Sequence, residues 1–167
     1  MIVHEKIMNI FVLNYKNDTN MMKLLLSFIL LTTFSFSGFA QVDKIVGRWK
    51  TIDDKEKVAK SIVYIFKATD GKYYGKIEKL FKDPNKLCTE CEGANKDKPV
   101  MGMIIVNKMK EKDGKLTGGT ILDPNNGKVY RCNISLDDNS NGEKLNVRGS
   151  LDKMGWIGRS QIWLRVK

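Results

Sequence analysis

Residues 115–136 read KLTGGTILDPNNGKVYRCNISL and contain the clearest hairpin signal in the chain. Asp123 and Pro124 begin a turn, and Asn125-Asn126-Gly127 provides residue types that tolerate the positive φ angles of a tight hairpin. A calcium-binding loop would need more carboxylates at alternating positions than Asp123 alone. The segment therefore predicts two antiparallel strands joined by a turn.

The second half of this segment alternates between apolar and polar side chains, which is typical of a strand with one buried face. Its more apolar face consists of Tyr130, Cys132, Ile134 and Leu136. Similar segments recur between glycine-containing turns, and no long stretch has helical periodicity. We predict eight strands, at residues 45–52, 60–68, 72–81, 100–110, 115–122, 127–136, 143–151 and 156–166.

The links between these strands are mostly of hairpin length, so strands adjacent in sequence are expected to pair antiparallel. Eight such strands in one domain close most economically into an up-and-down β-barrel, because closure leaves no exposed sheet edge. We therefore predict an all-β fold with an eight-stranded antiparallel barrel; a two-sheet β-sandwich is the alternative. The connection over residues 82–99 is unusually long, and is either a lid over the barrel mouth or a passive surface loop.

Residues 22–40 have the three-part composition of a secretory signal peptide. Lys23 supplies the positive charge, an uncharged apolar run follows it, and Gly38-Phe39-Ala40 provides small residues for cleavage after Ala40. A retained membrane anchor is the alternative, but the apolar run is shorter than the roughly 18 residues that span a bilayer. We expect a periplasmic or secreted protein without a membrane span after cleavage.

Residues 1–21 place acidic and polar side chains ahead of this signal, which is not how export signals begin. We interpret them as a spurious upstream extension, and residues 41–167 as a single β-barrel domain. The chain is basic, with 29 Lys and Arg against 19 Asp and Glu. Export and the dispersion of the lysines argue against nucleic acid, so an anionic envelope component or no specific partner is expected. The oligomeric state is not predicted.

Cys88 and Cys91 lie within the long connection, and the third cysteine is Cys132. Zinc would need two further ligands, but the only histidine, His4, precedes the cleavage site. Glu92 follows Cys91 where a c-type haem needs histidine. In an oxidising compartment the favoured interpretation is a Cys88–Cys91 disulfide, with pairing between Cys132 and a loop cysteine as the alternative. No metal or cofactor is expected.

Gly47-Arg48-Trp49, in the first strand, together with arginines in the last strand, resembles the calycin barrels, the lipocalin and avidin-like group. In that group the tryptophan closes one barrel end and a last-strand arginine packs over its ring. A guanidinium over an indole contributes about 0.5–2 kcal/mol. The resemblance gives this role to Arg159 or Arg165.

Several further segments extend the resemblance over nearly all of residues 41–167. They are Gly75-Lys76-Ile77, Gly102-Met103-x-Ile105, Gly118-Gly119, Asp123-Pro124-x-x-Gly127-Lys128-x-Tyr130, Val147-Arg148-Gly149 and Gly158-Arg159-x-Gln161-x-Trp163-x-Arg165. Together they are similar to a bacterial exported family labelled domain of unknown function 2147 (DUF2147). The resemblance implies an exported lipocalin-like barrel of unestablished activity, and it supplies no catalytic residue.

Polar residues in the last two strands are candidates for the barrel interior. Alternation with the apolar residues of its strand predicts that Arg148 faces outward, whereas Arg159 and Gln161 share a face with Trp163. A buried unpaired cation is costly. An inward Arg159 would therefore need Glu78 or an anionic ligand, unless it is a structural latch on Trp49 or on loop carbonyls.

The preferred hypothesis is a protein that binds a small or anionic envelope ligand inside the barrel, since small eight-stranded barrels can hold one ligand. The candidate lining residues are Trp49, Tyr64, Tyr130, Arg159, Gln161 and Trp163. One alternative is a non-enzymatic envelope interaction or structural protein with a filled barrel. Another is an envelope enzyme, whose general base would have to be Asp, Glu, Lys or Tyr. No catalytic residue is predicted.

Overall fold

The computed structural model describes residues 42–53, 56–152 and 154–167. These residues form eight strands and two short 3-10 helices. The strands are β1 (Gly47–Ile52), β2 (Ala59–Lys67), β3 (Tyr73–Leu80), β4 (Ile104–Lys112), β5 (Lys115–Leu122), β6 (Val129–Leu136), β7 (Lys144–Ser150) and β8 (Gly158–Arg165). The helices are η1 (Gly93–Asn95) and η2 (Asp138–Ser140). The signal peptide predicted at 22–40 and the extension predicted at 1–21 lie outside the described residues.

Each strand pairs antiparallel with the next, and β1 pairs with β8, so the sheet is a closed barrel in sequence order. The predicted up-and-down barrel is confirmed, and the two-sheet sandwich is excluded. None of the helices within the described ranges is long and apolar enough to cross a bilayer.

Six strands begin one to four residues later than the sequence pattern predicted, and turn hydrogen bonds account for three of these late starts, in β1, β4 and β8. β1 begins at Gly47 because the residues before it form a turn, in which the Ile45 amide donates to the Val42 carbonyl. β4 begins at Ile104, since Val100 and Met103 belong to a separate turn. β8 begins at Gly158, because the Asp152 carboxylate accepts hydrogen bonds from two preceding amides. In each of these three strands, hydrogen bonds of a turn take the place of strand pairing.

The alternation of strand direction gives the barrel two different ends. The open end carries the β1–β2, β3–β4, β5–β6 and β7–β8 connections, and the closed end carries the other three connections and the turn before β1. The large side chains that are most completely buried lie toward the closed end. Among them are Trp49, Ile45, Ile65, Met109, Leu116, Ile134 and Leu145. The closed half is therefore a packed core.

Trp49 and Arg165 close this end of the barrel. The Arg165 guanidinium lies 4.1 Å from the centroid of the Trp49 ring, and the Trp49 indole donates to the Ile45 carbonyl at 2.8 Å. Arg165 also donates to the Gly142 carbonyl at 2.8 Å and to the Lys44 carbonyl. Of the two arginines suggested by the resemblance, Arg165 therefore packs over the Trp49 ring, and Arg159 does not. We call the contacts of Arg165 with Trp49, Gly142 and Lys44 the latch.

Gly47 is required beside this latch for two reasons. Its φ of 137° lies in a region that L side chains rarely adopt, and a β-carbon there would lie 3.0 Å from the Arg165 guanidinium. The glycine of the Gly47-Arg48-Trp49 motif thus leaves room for the arginine at the end of β8.

Candidate ligand-binding cavity

The open half of the barrel contains a cavity of about 800 Å³ that opens between the loops of that end. Its walls come from all eight strands, and its mouth from the four open-end connections. The volume lies within the range of about 300–1,000 Å³ that is typical of small-molecule sites. The barrel is thus packed at one end and hollow at the other.

Three of the predicted lining residues form a column along β8. Trp163, Gln161 and Arg159 alternate along the strand and line the cavity from its floor to its mouth. Trp163 is buried, Gln161 is half-buried and Arg159 is exposed at the mouth. Within the described residues, the buried indole nitrogen of Trp163 has no hydrogen-bond partner.

The hydroxyl groups of Thr51 on β1 and Ser61 on β2 extend the polar part of the cavity lining beyond β8. Thr51 pairs across the strands with Trp163 on one side and with Ser61 on the other. The Thr51 and Ser61 hydroxyl oxygens lie 2.8 Å apart, and the Ser61 amide donates to Thr51 Oγ1 at 3.1 Å. Neither residue was among the predicted site residues. The signal for Thr51 was present, since it shares a face of β1 with Trp49.

The opposite wall, on β3 to β7, is largely apolar. Its strand residues are Ile77, Leu80, Ile105, Ile121, Leu122, Tyr130, Val147 and Gly149. Tyr130, a predicted lining residue, has the one side-chain polar group of this set, and the Asn126 side-chain amide donates to it at 3.2 Å. A β-carbon at Gly149 would lie at ordinary contact distance from Tyr130 and Ile121. The glycine therefore leaves this space unfilled.

Trp49 and Tyr64 do not line this cavity. Trp49 lies in the packed closed half. Tyr64 alternates with the buried residues Val63 and Ile65, so its ring is outside the barrel, 5.0 Å from the Arg48 guanidinium. The interior position predicted for Tyr64 is therefore wrong. Polarity does not distinguish the two faces of β2, because both carry large apolar side chains.

Glu78, the carboxylate suggested from the sequence as a partner for Arg159, binds Arg48. Glu78 accepts a hydrogen bond from Arg48 Nε at 2.7 Å on the outer surface, and this contact raises the pKa of Arg48. Arg148 also faces outward, as predicted, and donates to the Ser160 hydroxyl at 3.2 Å.

Among the cavity-lining residues within the described strands, only Arg159 and Lys60 are charged. Lys60 forms an ion pair with Asp53 at 2.7 Å.

The mouth loops are fixed by local hydrogen bonds. Asp152 accepts from the amides of Trp156 at 3.0 Å and Ile157 at 2.9 Å, and the hydrogen bond from Ile157, more than any other, lowers the pKa of this carboxyl group. These bonds hold the β7–β8 connection as a defined rim. The Asp123 carboxylate has a similar local role, since it accepts from the Asn125 amide at 3.0 Å.

The long connection between β3 and β4 is attached to the side of the mouth. Cys88 and Cys91 form the predicted disulfide, which leaves Cys132 as a buried free thiol. Lys86 Nζ donates to the Asn125 side-chain oxygen at 2.7 Å, which ties the connection to the β5–β6 turn. Lys82, Asp83 and Lys86 line the mouth. The connection therefore forms one edge of the entrance. Within the described residues, no group of three or more His, Cys, Asp and Glu side chains is arranged to hold a metal.

Exposed large apolar side chains are concentrated around the open end. They include Val58 on the β1–β2 connection, Phe81, Leu87 and Met101 on the β3–β4 connection, and Leu151, Met154, Trp156 and Ile157 on the β7–β8 connection. Val58, Leu151 and Ile157 also line the cavity. The apolar surface is therefore continuous from the rim into the barrel.

Comparison with known proteins agrees with this architecture. A family model described as "Uncharacterized protein conserved in bacteria (DUF2147)" matches residues 47–165, so the chain belongs to this family. A solved structure titled as protein HP1028 from the human pathogen Helicobacter pylori, a member of the lipocalin family, matches with a TM-score of 0.62 and 20% sequence identity. The match covers 73% of this chain and 82% of that chain, and shows a lipocalin-like fold. No curated protein matches the sequence.

Proposed function

We propose that this member of the DUF2147 family is a non-enzymatic binding protein that holds one small, largely apolar ligand with an anionic or hydrogen-bonding group in the open half of its barrel. The observation that carries the proposal is the cavity of about 800 Å³, which is lined by apolar side chains on five strands and opens to solvent at one end. We propose further that the protein acts in the bacterial envelope after export, in line with the signal-like segment at residues 22–40.

Burial of apolar ligand surface supplies the main driving force in such a site. Transfer of apolar surface from water contributes about 25 cal/mol per Å². A ligand that buries roughly 200 Å² against the apolar wall would gain about 5 kcal/mol before the costs of association. The buried indole nitrogen of Trp163, which has no hydrogen-bond partner within the described residues, would donate to a polar group of the ligand and so orient it in the cavity.

Among the described residues, the carboxylates around the mouth do not form a catalytic arrangement. Asp53 is paired with Lys60, and Asp123 accepts hydrogen bonds inside its own turn. They belong to the connections rather than to the inward faces of the strands. Binding is therefore better supported than the envelope enzyme considered from the sequence.

A fluorescence titration with anilinonaphthalene sulfonate, an apolar anion, tests whether the cavity binds ligands. We expect saturable binding to the wild-type protein at one site. Val147→Phe, which adds a ring on the apolar wall, should weaken binding about tenfold or more because it fills the space that the probe occupies. Ile162→Phe is the matched control, since Ile162 is exposed on the outer face of the neighbouring strand.

Circular dichroism and urea unfolding should show that both variants retain the barrel. Equal binding of the probe to the wild-type protein and to Val147→Phe would place the probe elsewhere on the protein and would count against a ligand-binding cavity.

A further inference from the structure

Exposed large apolar side chains are confined almost entirely to one end of the barrel. Within the described residues they are Val58, Phe81, Leu87, Met101, Val129, Leu151, Met154, Trp156, Ile157 and Ile162. All of them except Ile162 lie on the open-end connections or on the strand residue that follows one of them, and we call this set the apolar rim. Exposed apolar surface of this extent marks contact with a membrane or another protein. We infer that the apolar rim docks on the surface of a phospholipid bilayer, with the mouth of the cavity facing the lipid.

The most exposed side chains of the apolar rim lie on the β7–β8 connection. Trp156 is 80% exposed and Met154 is 78% exposed, whereas Ile162 on the barrel wall is 40% exposed. The Trp156 and Ile157 amides donate to the Asp152 carboxylate, so the backbone is held while the apolar side chains remain in water. A tryptophan side chain, which is large and apolar with one N–H group, is favoured between lipid headgroups and acyl chains. The connection is therefore suited to enter that layer.

The shape of the apolar rim favours a bilayer over a folded protein. Its side chains surround an opening instead of forming one continuous face, and Val58, Leu151 and Ile157 also line the cavity. A protein partner would need a complementary projection to fill this opening, because stable protein interfaces are closely packed. Acyl chains and headgroups are mobile and adjust to apolar groups on separate connections. A bilayer therefore covers the whole rim without leaving a space between two rigid surfaces.

Lysine side chains around the apolar rim match the phosphate groups of phospholipids. Lys57, Lys82 and Lys128 are exposed on three open-end connections and form no ion pair within the described residues. Lys79 Nζ lies 5.1 Å from the centroid of the Phe81 ring, which places an ammonium group beside an apolar side chain of the rim. Lysine can bind a phosphate while its aliphatic stem covers apolar surface. Because acidic residues are interspersed with these lysines, burial of the apolar side chains would supply most of the affinity.

Co-sedimentation with vesicles of pure phosphatidylcholine tests this docking. These vesicles carry no net charge, and salt at about 0.15 M screens non-specific attraction of a basic protein. We expect the wild-type protein to bind. A double variant, Met154→Ser with Trp156→Ser, should lower the partition coefficient about tenfold or more, because it removes the two most exposed apolar side chains. Both side chains are exposed in the folded protein, so the barrel should remain folded by circular dichroism.

Ile157→Ser and Ile162→Ser form a matched pair of single variants. They make the same change five residues apart, one on the apolar rim and one on the outer face of β8. Ile157→Ser should weaken vesicle binding about threefold or more, and Ile162→Ser should leave it unchanged. Loss of binding in only the first variant would therefore assign the contact to the open end.

Tryptophan fluorescence gives an independent measurement of the orientation on the vesicle. Trp49 and Trp163 are buried, so Trp156 is the exposed one of the three tryptophans. Vesicle binding should shift its emission to shorter wavelength, and brominated phosphatidylcholine should quench it. Trp156→Phe should keep most of the binding, because it keeps a large apolar side chain, and should lose both changes in emission.

Three results would overturn the inference. The first is a wild-type protein that does not bind these vesicles, or rim variants that bind as tightly as the wild type. The second is binding that requires phosphatidylglycerol and is equal in all variants, which would show adsorption of a basic protein by charge. The third is a dimer in light scattering that the Met154 and Trp156 double variant abolishes, which would assign the rim to a second copy. None of these measurements needs a ligand in the cavity, so they test the docking surface separately from the proposed binding function.

Discussion

Replacement of Arg165 by leucine tests the latch at the closed end. The substitution removes a guanidinium 4.1 Å from the centroid of the Trp49 ring and its hydrogen bonds to the carbonyls of Gly142 and Lys44. A cation–π contact contributes about 0.5–2 kcal/mol. Each hydrogen bond from a charged donor contributes about 1.5–3 kcal/mol. Because Arg165 is only partly buried, solvent reduces this sum. We expect a net loss of about 2–4 kcal/mol in the free energy of unfolding.

Urea unfolding followed by tryptophan fluorescence measures this loss as a lower midpoint with an unchanged slope. Arg165→Lys keeps the positive charge but cannot reproduce the planar fork, so it should lose about half as much. Arg131→Leu is the control, because Arg131 is exposed on the outer face of β6. A change of less than about 0.5 kcal/mol in Arg165→Leu, the range of ordinary surface substitutions, would show that the latch is not what closes this end.

Three further predictions concern the cysteines and the turn on which the long connection rests. Replacing Cys88 and Cys91 by alanine removes a disulfide between residues three apart in sequence. The chain entropy of so short a loop predicts a loss of about 2 kcal/mol in the free energy of unfolding. An unchanged urea midpoint would contradict this expectation. Burial raises the pKa of the Cys132 thiol from 9.0 to about 12. The folded state therefore keeps a proton that the unfolded state releases, and the free energy of unfolding should fall as the pH rises above 9.0, more steeply than in Cys132→Ala; parallel pH dependences would refute the assignment. Gly127→Ala should be strongly destabilising because the residue has a φ of 68° and its β-carbon would lie 1.7 Å from the Glu90 carbonyl oxygen; a thermal melt of this variant within a degree or two of the wild type would mean that the connection does not rest on the turn.

The barrel was predictable because its signals are local. The turn at Asn125-Asn126-Gly127 and the alternation along β6 each specify a strand pair without reference to the rest of the chain. Closure followed from the number of strands and the shortness of their links. The predicted strand ends were less accurate. Hydrogen bonds such as those accepted by Asp152 compete with strand pairing, and the alternation of apolar and polar residues does not reveal them.

The cavity was only partly predictable, because its position depends on which half of the barrel is filled. Alternation correctly placed Arg159, Gln161 and Trp163 on one face of β8. It could not show that Trp49, which also faces inward, belongs to the packed half. Tyr64 was misplaced because polarity does not distinguish the two faces of β2. The hydroxyl pair of Thr51 and Ser61 depends on the register between β1 and β2, which sequence does not reveal.

Native mass spectrometry of the protein, purified without detergent from the envelope of bacteria that express the whole chain, tests the binding function most directly. We predict that the wild-type protein and Ile162→Phe carry a bound small molecule of roughly 300–500 Da, the size that such a cavity encloses. Val147→Phe, which fills the cavity, should be recovered without it. Recovery of the wild-type protein with no adduct, or of all three proteins with the same adduct, would contradict a ligand held in the open half of the barrel.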